Sequence, residues 1–280
     1  MTTILDGAAV AASIHTRLTA SCAALTAAGI IPTLAVVAAT DDPVAVRWTR
    51  ALARAADRTG IRCRSITLGP QVSAAAIRDT LTSLSENPLV HGIVLQTPLP
   101  PGIVLDTVTD AIAIGKDVDG ANPLSAGRLA RDLPAFAPAI ARAVVTLLNH
   151  HRIEIGDKKA VVIGRSSAVG KPIADLLLQR NATVTICHRH TTDLADITRT
   201  ADIVVAAAGH PGLITTEDFR PDAVLIDVGL NLTDSGRLVG DVDRTAVSGR
   251  VAALTPVPGG VGLVTTAMLL DHTLRAVPRS

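Results

Sequence analysis

The chain is almost without aromatic residues: Tyr is absent, and Trp48, Phe136 and Phe219 are the whole of that class in 280 residues. So few rings exclude recognition of single-stranded nucleic acid by base stacking. Cysteine is scarce too. Cys22, Cys63 and Cys187 are odd in number, far apart and form no CxxC pair, so they read as reduced, mostly buried thiols of a cytoplasmic protein and not as a disulfide framework or a metal site. Neither sign of charge prevails, and a net charge of +1 points to no nucleic-acid partner and no anionic membrane. Although 48% of the residues are hydrophobic, no apolar run approaches the ~18 residues of a membrane span. The opening Met1-Thr2-Thr3-Ile4-Leu5-Asp6 lacks a basic stretch ahead of an apolar one, so no secretory signal is expected.

What the chain does have is alternation. Short β-branched runs predict strands at Thr33–Ala38, Arg62–Leu68, Gly92–Gln96, Ala160–Ile163, Thr183–Cys187, Ile203–Ala207 and Ala223–Asp227. Between them lie amphipathic Ala/Leu-rich segments, for example Ala8–Ala28, Val44–Thr59 and Ser73–Ser85, which predict helices. This order predicts an α/β fold with largely parallel sheets. A break follows the Pro-rich stretch Arg131–Pro138, where Ala139–Asn149 reads as a connecting helix into a second α/β unit. A final helix, about Val264–Arg275, follows the Pro/Gly stretch Thr255–Gly262.

The segment Val161-Val162-Ile163-Gly164-Arg165-Ser166-Ser167-Ala168-Val169-Gly170-Lys171-Pro172 is the most specific local signal. It reads as a buried strand, a glycine-bounded turn and a helix start, with Pro172 presetting the first turn. Such a turn aims backbone N–H groups and the positive end of a helix at an anion such as a pyrophosphate. It is not a Walker loop: the glycines are separated by five residues where that loop needs four, and Pro172 follows the lysine. Nor is it GxGxxG, because Ser166 and Val169 stand at the second and third glycine positions.

Four segments taken together resemble the bifunctional methylenetetrahydrofolate dehydrogenase/methenyltetrahydrofolate cyclohydrolase family. They are Leu95-Gln96-Thr97-Pro98-Leu99-Pro100, Lys116-Asp117-Val118-Asp119-Gly120, the turn Gly164–Pro172, and Thr255-Pro256-Val257-Pro258-Gly259-Gly260-Val261-Gly262. Weaker matches come from Asp227-Val228-Gly229-Leu230-Asn231 and Gly240-Asp241-Val242. The resemblance covers nearly the whole chain. It implies a folate (catalytic) domain of residues 1–138 plus 263–280, to which the last helix returns, and a Rossmann-like NAD(P) domain of residues 139–262. It also implies a homodimer, a tetrahydrofolate substrate and a nicotinamide cofactor.

Residue by residue, Asp119 matches the aspartate that anchors the folate. A carboxylate suits the paired N–H groups of a pterin, although an aspartate before Gly120 is ordinary turn chemistry as well. Gln96 matches the glutamine at a strand end beside the one-carbon unit. Pro256, Pro258, Gly259 and Gly260 resemble the rigid loop at the substrate. Gly164, Ser166, Val169 and Gly170 are expected to cradle the cofactor phosphates, with His188 and Thr191 matching a further motif, although Arg189 replaces a family serine there. Arg165 and Arg189 follow consecutive strands, and two guanidiniums there favour the 2′-phosphate of NADP over the free hydroxyl of NAD. Ala208, Gly209 and Val228 are expected on the nicotinamide side.

The departures lie in the folate half. The family places a catalytic lysine four residues after a tyrosine on the helix that contains Trp48. Counting from Pro43 or from Gly60 puts Trp48 in the tyrosine position and Leu52 in the lysine position. Positions four apart share a helix face, so an apolar pair replaces a protic one beside the substrate. Pro138-Ala139-Ile140-Ala141 stands where the family has Pro-Cys-Thr-Pro, and Leu263-Val264 where it has Pro-Met. The stripe Arg47, Arg50 and Arg54 reads as a solvated face or, alternatively, as a site for a polyglutamyl tail. The expectation is an NADP-dependent dehydrogenase of 5,10-methylenetetrahydrofolate with little cyclohydrolase activity. The alternatives are a repurposed folate-dependent one-carbon transferase without net redox chemistry and a catalytically silent binding protein.

Overall fold

The computed structural model describes residues 2–215, 219–233 and 235–278. In chain order the strands are β1 (Thr3–Ile4), β2 (Thr33–Ala38), β3 (Arg62–Thr67), β4 (Gly92–Gln96), β5 (Lys159–Ile163), β6 (Thr183–Cys187), β7 (Ile203–Ala206), β8 (Val224–Asp227), β9 (Asn231–Leu232), β10 (Leu238–Val239) and β11 (Ala253–Leu254). The α-helices are α1 (Gly7–Ala27), α2 (Pro43–Thr59), α3 (Ala74–Glu86), α4 (Asp106–Thr109), α5 (Pro123–Leu129), α6 (Ala139–His150), α7 (Gly170–Leu178), α8 (Leu194–Thr198), α9 (Arg244–Val247) and α10 (Val261–Arg275). The chain divides into two units, Ala12–Ala139 with Thr266–Ser280, and Met1–Ala11 with Ile140–Thr265.

The first unit carries three parallel strands in the order β3-β2-β4. β2 and β4 are continuous apolar runs because their residues are buried on both faces, as parallel strands require. β3, at the sheet edge, is mostly exposed and correspondingly polar. Ala35, Val37, Ile93 and Leu95 of the sheet pack against Ile77 and Leu81 of α3 in one core cluster. α2 starts where the Asp42 carboxylate accepts the Ala45 N–H at 2.8 Å and stops at Gly60, which adopts φ 84°.

The Lys116–Gly120 segment is locked in place by its own polar groups. A parallel bridge pairs Asp117 with Ile93, so the segment runs beside β4 in the same direction. The fully buried Asp117 carboxylate accepts the N–H groups of Ala121 (2.9 Å) and Asn122 (3.0 Å). Lys116 Nζ donates to the carbonyls of Ser85 and Asn87, both at 2.7 Å, where α3 ends. His272 of α10 hydrogen-bonds the Val118 carbonyl through Nδ1 at 2.8 Å, and its ring lies 5.1 Å from that of Phe136. The last helix thus closes on this unit.

The second unit is a six-stranded parallel sheet in the order β1-β11-β8-β7-β5-β6, with a separate β9–β10 hairpin. β5 has β6 on one side and β7 on the other. The chain therefore reverses direction across the sheet at β5, and the crevice beyond the carboxyl ends of β5 and β7 is where such sheets bind ligands. Among the described residues no helix is long and apolar enough to cross a membrane.

Two details differ from the sequence reading. Residues 2–11 belong to the second unit and not to the first, and within them Thr3 and Ile4 are in parallel register with Ala253 and Leu254. The expected boundary at 138/139 and the one at 262/263 fall one and three residues from those of the structure. Helix α7 begins at Gly170, so Pro172 is its third residue and lies in the first turn, as expected.

Asp117→Ala would leave the buried Asn122 N–H and the half-buried Ala121 N–H without an acceptor. We expect a loss of about 2–4 kcal/mol in urea unfolding monitored by far-UV circular dichroism, with Asp117→Asn losing less.

Candidate active site

At the end of β5 the backbone is packed so closely that only glycine is possible. Gly164 has φ 134°, and a Cβ there would collide with the Ala207 carbonyl oxygen. A Cβ at Gly170 would collide with the Gly164 carbonyl oxygen, so the start of α7 backs directly onto the strand end. Ser166 Oγ accepts the Val169 N–H at 3.2 Å and lies 3.5 Å from the Gly170 nitrogen, and the Ser166 carbonyl accepts the Lys171 N–H at 3.1 Å. The result is a compact turn that admits no side chain at either glycine, sited at the positive end of a nine-residue helix, where an anion is favoured.

The turn after β6 is fixed by its own residues. The His188 N–H donates to Thr191 Oγ1 at 2.9 Å, the Thr191 N–H to the His188 carbonyl at 2.8 Å, and the His190 N–H to His188 Nδ1 at 3.2 Å. Arg165 and Arg189 are exposed beyond adjacent strand ends, joined by the Gly164 N–H to Cys187 carbonyl bond of 2.9 Å. Two guanidiniums on neighbouring strand ends suit a doubly charged phosphate.

On the other side of β5, Ala208 and Gly209 both donate their N–H groups to Asp241 Oδ2, at 2.7 and 2.9 Å. Val228, one residue past β8, donates to the Ala206 carbonyl at 2.9 Å. Sequence reasoning missed the two carboxylates beneath this region. Asp227 accepts the N–H groups of Gly229 (2.9 Å), Asp241 (3.0 Å) and Val242 (3.0 Å), and burial pushes its carboxyl up to about 6. Their only sequence signal was the pair of segments Asp227–Asn231 and Gly240–Val242.

The Pro256–Gly260 loop belongs to the same unit. The Gly7 N–H donates to the Gly259 carbonyl at 2.9 Å and the Gly260 N–H to the Pro256 carbonyl at 2.8 Å. Pro256 and Gly260 are buried, while Pro258 is exposed. A cavity of about 960 Å³ is bounded by Asp227, Gly240, Val242, Thr255, Val257 and Pro258 among others. It shares no lining residue with the glycine turn, so it is not where a pyrophosphate would lie.

In the first unit Gln96 ends β4 in register with Ala38, half-buried, its Nε2 donating to the Thr97 carbonyl at 3.0 Å. Asp119 lies toward the same end of β4 because its segment runs parallel to that strand. Asp119 Oδ1 accepts the Ala139 N–H at 3.1 Å. Its carboxyl is raised to about 7, chiefly by burial and in small part by Asp117, against the opposing bond from Ala139. Trp48 is half-buried, but Leu52 is fully buried on the stripe formed with Ala45, Ala55, Ala56 and Thr59. Arg47, Arg50 and Arg54 are exposed, and none of them is in an ion pair among the described residues. The expected residues thus fall into two sets. Gln96, Asp119, Trp48 and Leu52 lie in one unit, and the glycine turn, the arginines, the nicotinamide-side residues and the Pro256–Gly260 loop in the other.

A glycine cradle at the reversal point of a parallel sheet defines a dinucleotide-binding α/β protein, and the first unit adds a carboxylate and an amide toward the strand ends of its own sheet. The chain belongs to the tetrahydrofolate dehydrogenase/cyclohydrolase family: the model of the catalytic domain matches residues 5–119 and that of the NAD(P)-binding domain residues 138–280. It is 54% identical over 279 residues to the bifunctional protein FolD 1 of Saccharopolyspora erythraea, covering 100% of this chain and 95% of that one. Its structure is similar to that of the bifunctional FolD enzyme of Campylobacter jejuni, with a TM-score of 0.95, 37% identity and 99% of both chains covered. It is similar also to the Trypanosoma brucei FolD complexed with NADP cofactor and inhibitor, with a TM-score of 0.93, 38% identity and 99% and 97% coverage. The family named from sequence is the family found, and the chain is an enzyme of that class.

A carboxyl held at about 7 when folded and near its ordinary value of 3.8 when unfolded makes folding favour the protonated form. Its contribution is therefore largest below about 4, falls as pH rises toward 7 and is constant above. Asp119→Asn removes this loss, and we expect the variant to unfold at a higher temperature than the parent at pH 8, by about 2–4 kcal/mol of stability, with the difference shrinking at pH 4.

Proposed function

We propose that this protein oxidises 5,10-methylenetetrahydrofolate to 5,10-methenyltetrahydrofolate with NADP, and that it hydrolyses the methenyl product weakly or not at all. The observation that carries the reading is a contrast between the two units. The nucleotide cradle is complete, whereas the lysine position of the folate unit is Leu52, wholly out of contact with water.

Bound NADP supplies the hydride acceptor. Gly164, Ser166, Val169 and Gly170 would hold its pyrophosphate, Arg165 and Arg189 the 2′-phosphate, with His188 and Thr191 shaping the turn between them. Ala208, Gly209 and Val228 would border the nicotinamide. For the folate, ionised Asp119 accepts two parallel hydrogen bonds from the pterin, and Gln96 has both a donor and an acceptor to offer beside the one-carbon unit. Trp48, Pro256, Pro258, Gly259 and Gly260 complete the substrate contacts in this reading.

Loss of hydride from the methylene carbon moves no proton there, because the N5 and N10 lone pairs stabilise the resulting cation. The protein's task in that step is alignment. Hydrolysis of the cation needs water to be deprotonated and a tetrahedral adduct to break down, for which a positioned acid/base contributes roughly 10²–10⁴-fold. Leu52 can do neither, and Arg54, two residues further on, lies on the opposite helix face. A homodimer and a cytoplasmic location belong to the same proposal, and sedimentation velocity tests the first of them.

The paired assay follows NADP⁺ reduction with methylenetetrahydrofolate and, separately, methenyltetrahydrofolate decay against a blank without enzyme. We expect reduction without accelerated decay; decay well above the blank would remove the second half of the proposal. Because the ionised form of Asp119 binds the pterin, KM for the folate should fall as pH rises through about 7, and Asp119→Asn should abolish that dependence.

A further inference from the structure

Asp241 is wholly buried and accepts hydrogen bonds at both oxygens. Oδ2 takes the consecutive N–H groups of Ala208 and Gly209, and Oδ1 takes Asn231 Nδ2 at 2.9 Å. Its own N–H is held by Asp227 Oδ1 at 3.0 Å, and the Asp227 N–H donates to Thr255 Oγ1 at 2.7 Å. The fit is close: a Cβ at Gly229 would strike Asp241 Oδ1, and one at Gly240 would strike Asp227 Oδ2. No salt bridge reaches either carboxylate among the described residues. Burying two carboxylates without a cation is costly, and among the described residues it is compensated by N–H groups.

The consequence lies on the far side of the loop. In a trans peptide the carbonyl points opposite to the N–H. Once Asp241 has drawn in the N–H groups of Ala208 and Gly209, the carbonyls of Ala207 and Ala208 face away from it. The Ala207 oxygen is packed over Gly164. No donor among the described residues reaches the Ala207 or Ala208 oxygen. We infer that Asp241 is a positioning residue for the nicotinamide end of the cofactor: it draws in the N–H groups of Ala208 and Gly209 and leaves the Ala208 carbonyl as an acceptor for a primary carboxamide.

This rests on the NADP reading above and adds a specificity to it. At Ala208 and Gly209, where the N–H groups are taken and the Ala208 carbonyl is open, a group that donates N–H is welcomed and a carboxylate is rejected.

Binding measurements on the full-length protein test it with three ligands: NADP⁺, 2′-phospho-ADP-ribose, which lacks the nicotinamide, and nicotinic acid adenine dinucleotide phosphate, which carries a carboxylate for the carboxamide. Calorimetry of the parent should show NADP⁺ preferred over the acid analogue by about tenfold or more. Asp241→Ala should weaken NADP⁺ by about tenfold, leave 2′-phospho-ADP-ribose within about twofold, and erase the discrimination against the acid. Asp241→Asn keeps an acceptor for the two N–H groups, and Asn231 can turn its amide oxygen to the new NH₂. It should fold even if the alanine variant does not, and weaken NADP⁺ alone, by about threefold. Equal loss of NADP⁺ and 2′-phospho-ADP-ribose in either variant would make Asp241 a mere scaffold and overturn the inference, as would no change in either. A parent that binds none of the three ligands would instead overturn the NADP reading beneath it.

Discussion

Everything in the nucleotide unit hangs on one close approach, the backbone of Gly164 against the Ala207 carbonyl, with Gly170 closing on Gly164 from the other side. Because no side chain stands between them, the end of β5, the end of β7 and the start of α7 come together at a single point. That contact sets the positive end of the helix at the crevice and brings the loop after β7 up to it. The turns bearing Arg165 and Arg189 then follow from strand pairing alone, since β5 and β6 are in register through Ile163 and Cys187.

A second theme is the use of aspartates as backbone clamps. Asp117 fixes the turn that presents Asp119, and Asp227 and Asp241 fix the loops that follow β7 and β8. A carboxylate is well suited to this work, because its two oxygens accept from several N–H groups at once and have no donor of their own to satisfy. The same burial that makes the clamps rigid raises the carboxyls of Asp117, Asp119 and Asp227. In the proposed reaction Asp119 uses this effect: a carboxyl raised to about 7 is drawn into its ionised form by a ligand that offers N–H groups.

Long, strongly patterned elements were legible from the residues. The strands Thr33–Ala38, Gly92–Gln96 and Thr183–Cys187 lie where their β-branched runs begin and end, and the α/β class and the family followed from the alternation and the motifs. The two-residue strands β1 and β11 were not legible, because no periodicity can be read from two positions. Nor could the start of α7 be read, since Pro172 marks a first turn and not a particular place in it. Leu52 falls within α2, where the helix expected at Val44–Thr59 puts it, but its complete burial depends on what packs against the helix face.

The sequence by itself determined the order of the elements, the glycines that the phosphate cradle needs and the family to which the chain belongs, because each of these is written in neighbouring residues. The pairing of Thr3–Ile4 with Ala253–Leu254, the return of His272 to Val118 and the grip of Asp241 on Ala208 and Gly209 were decided only by tertiary structure. The partners in these contacts are 250, 154 and 33 or 32 residues apart, and a hydrogen bond across such a loop leaves no local spacing to read.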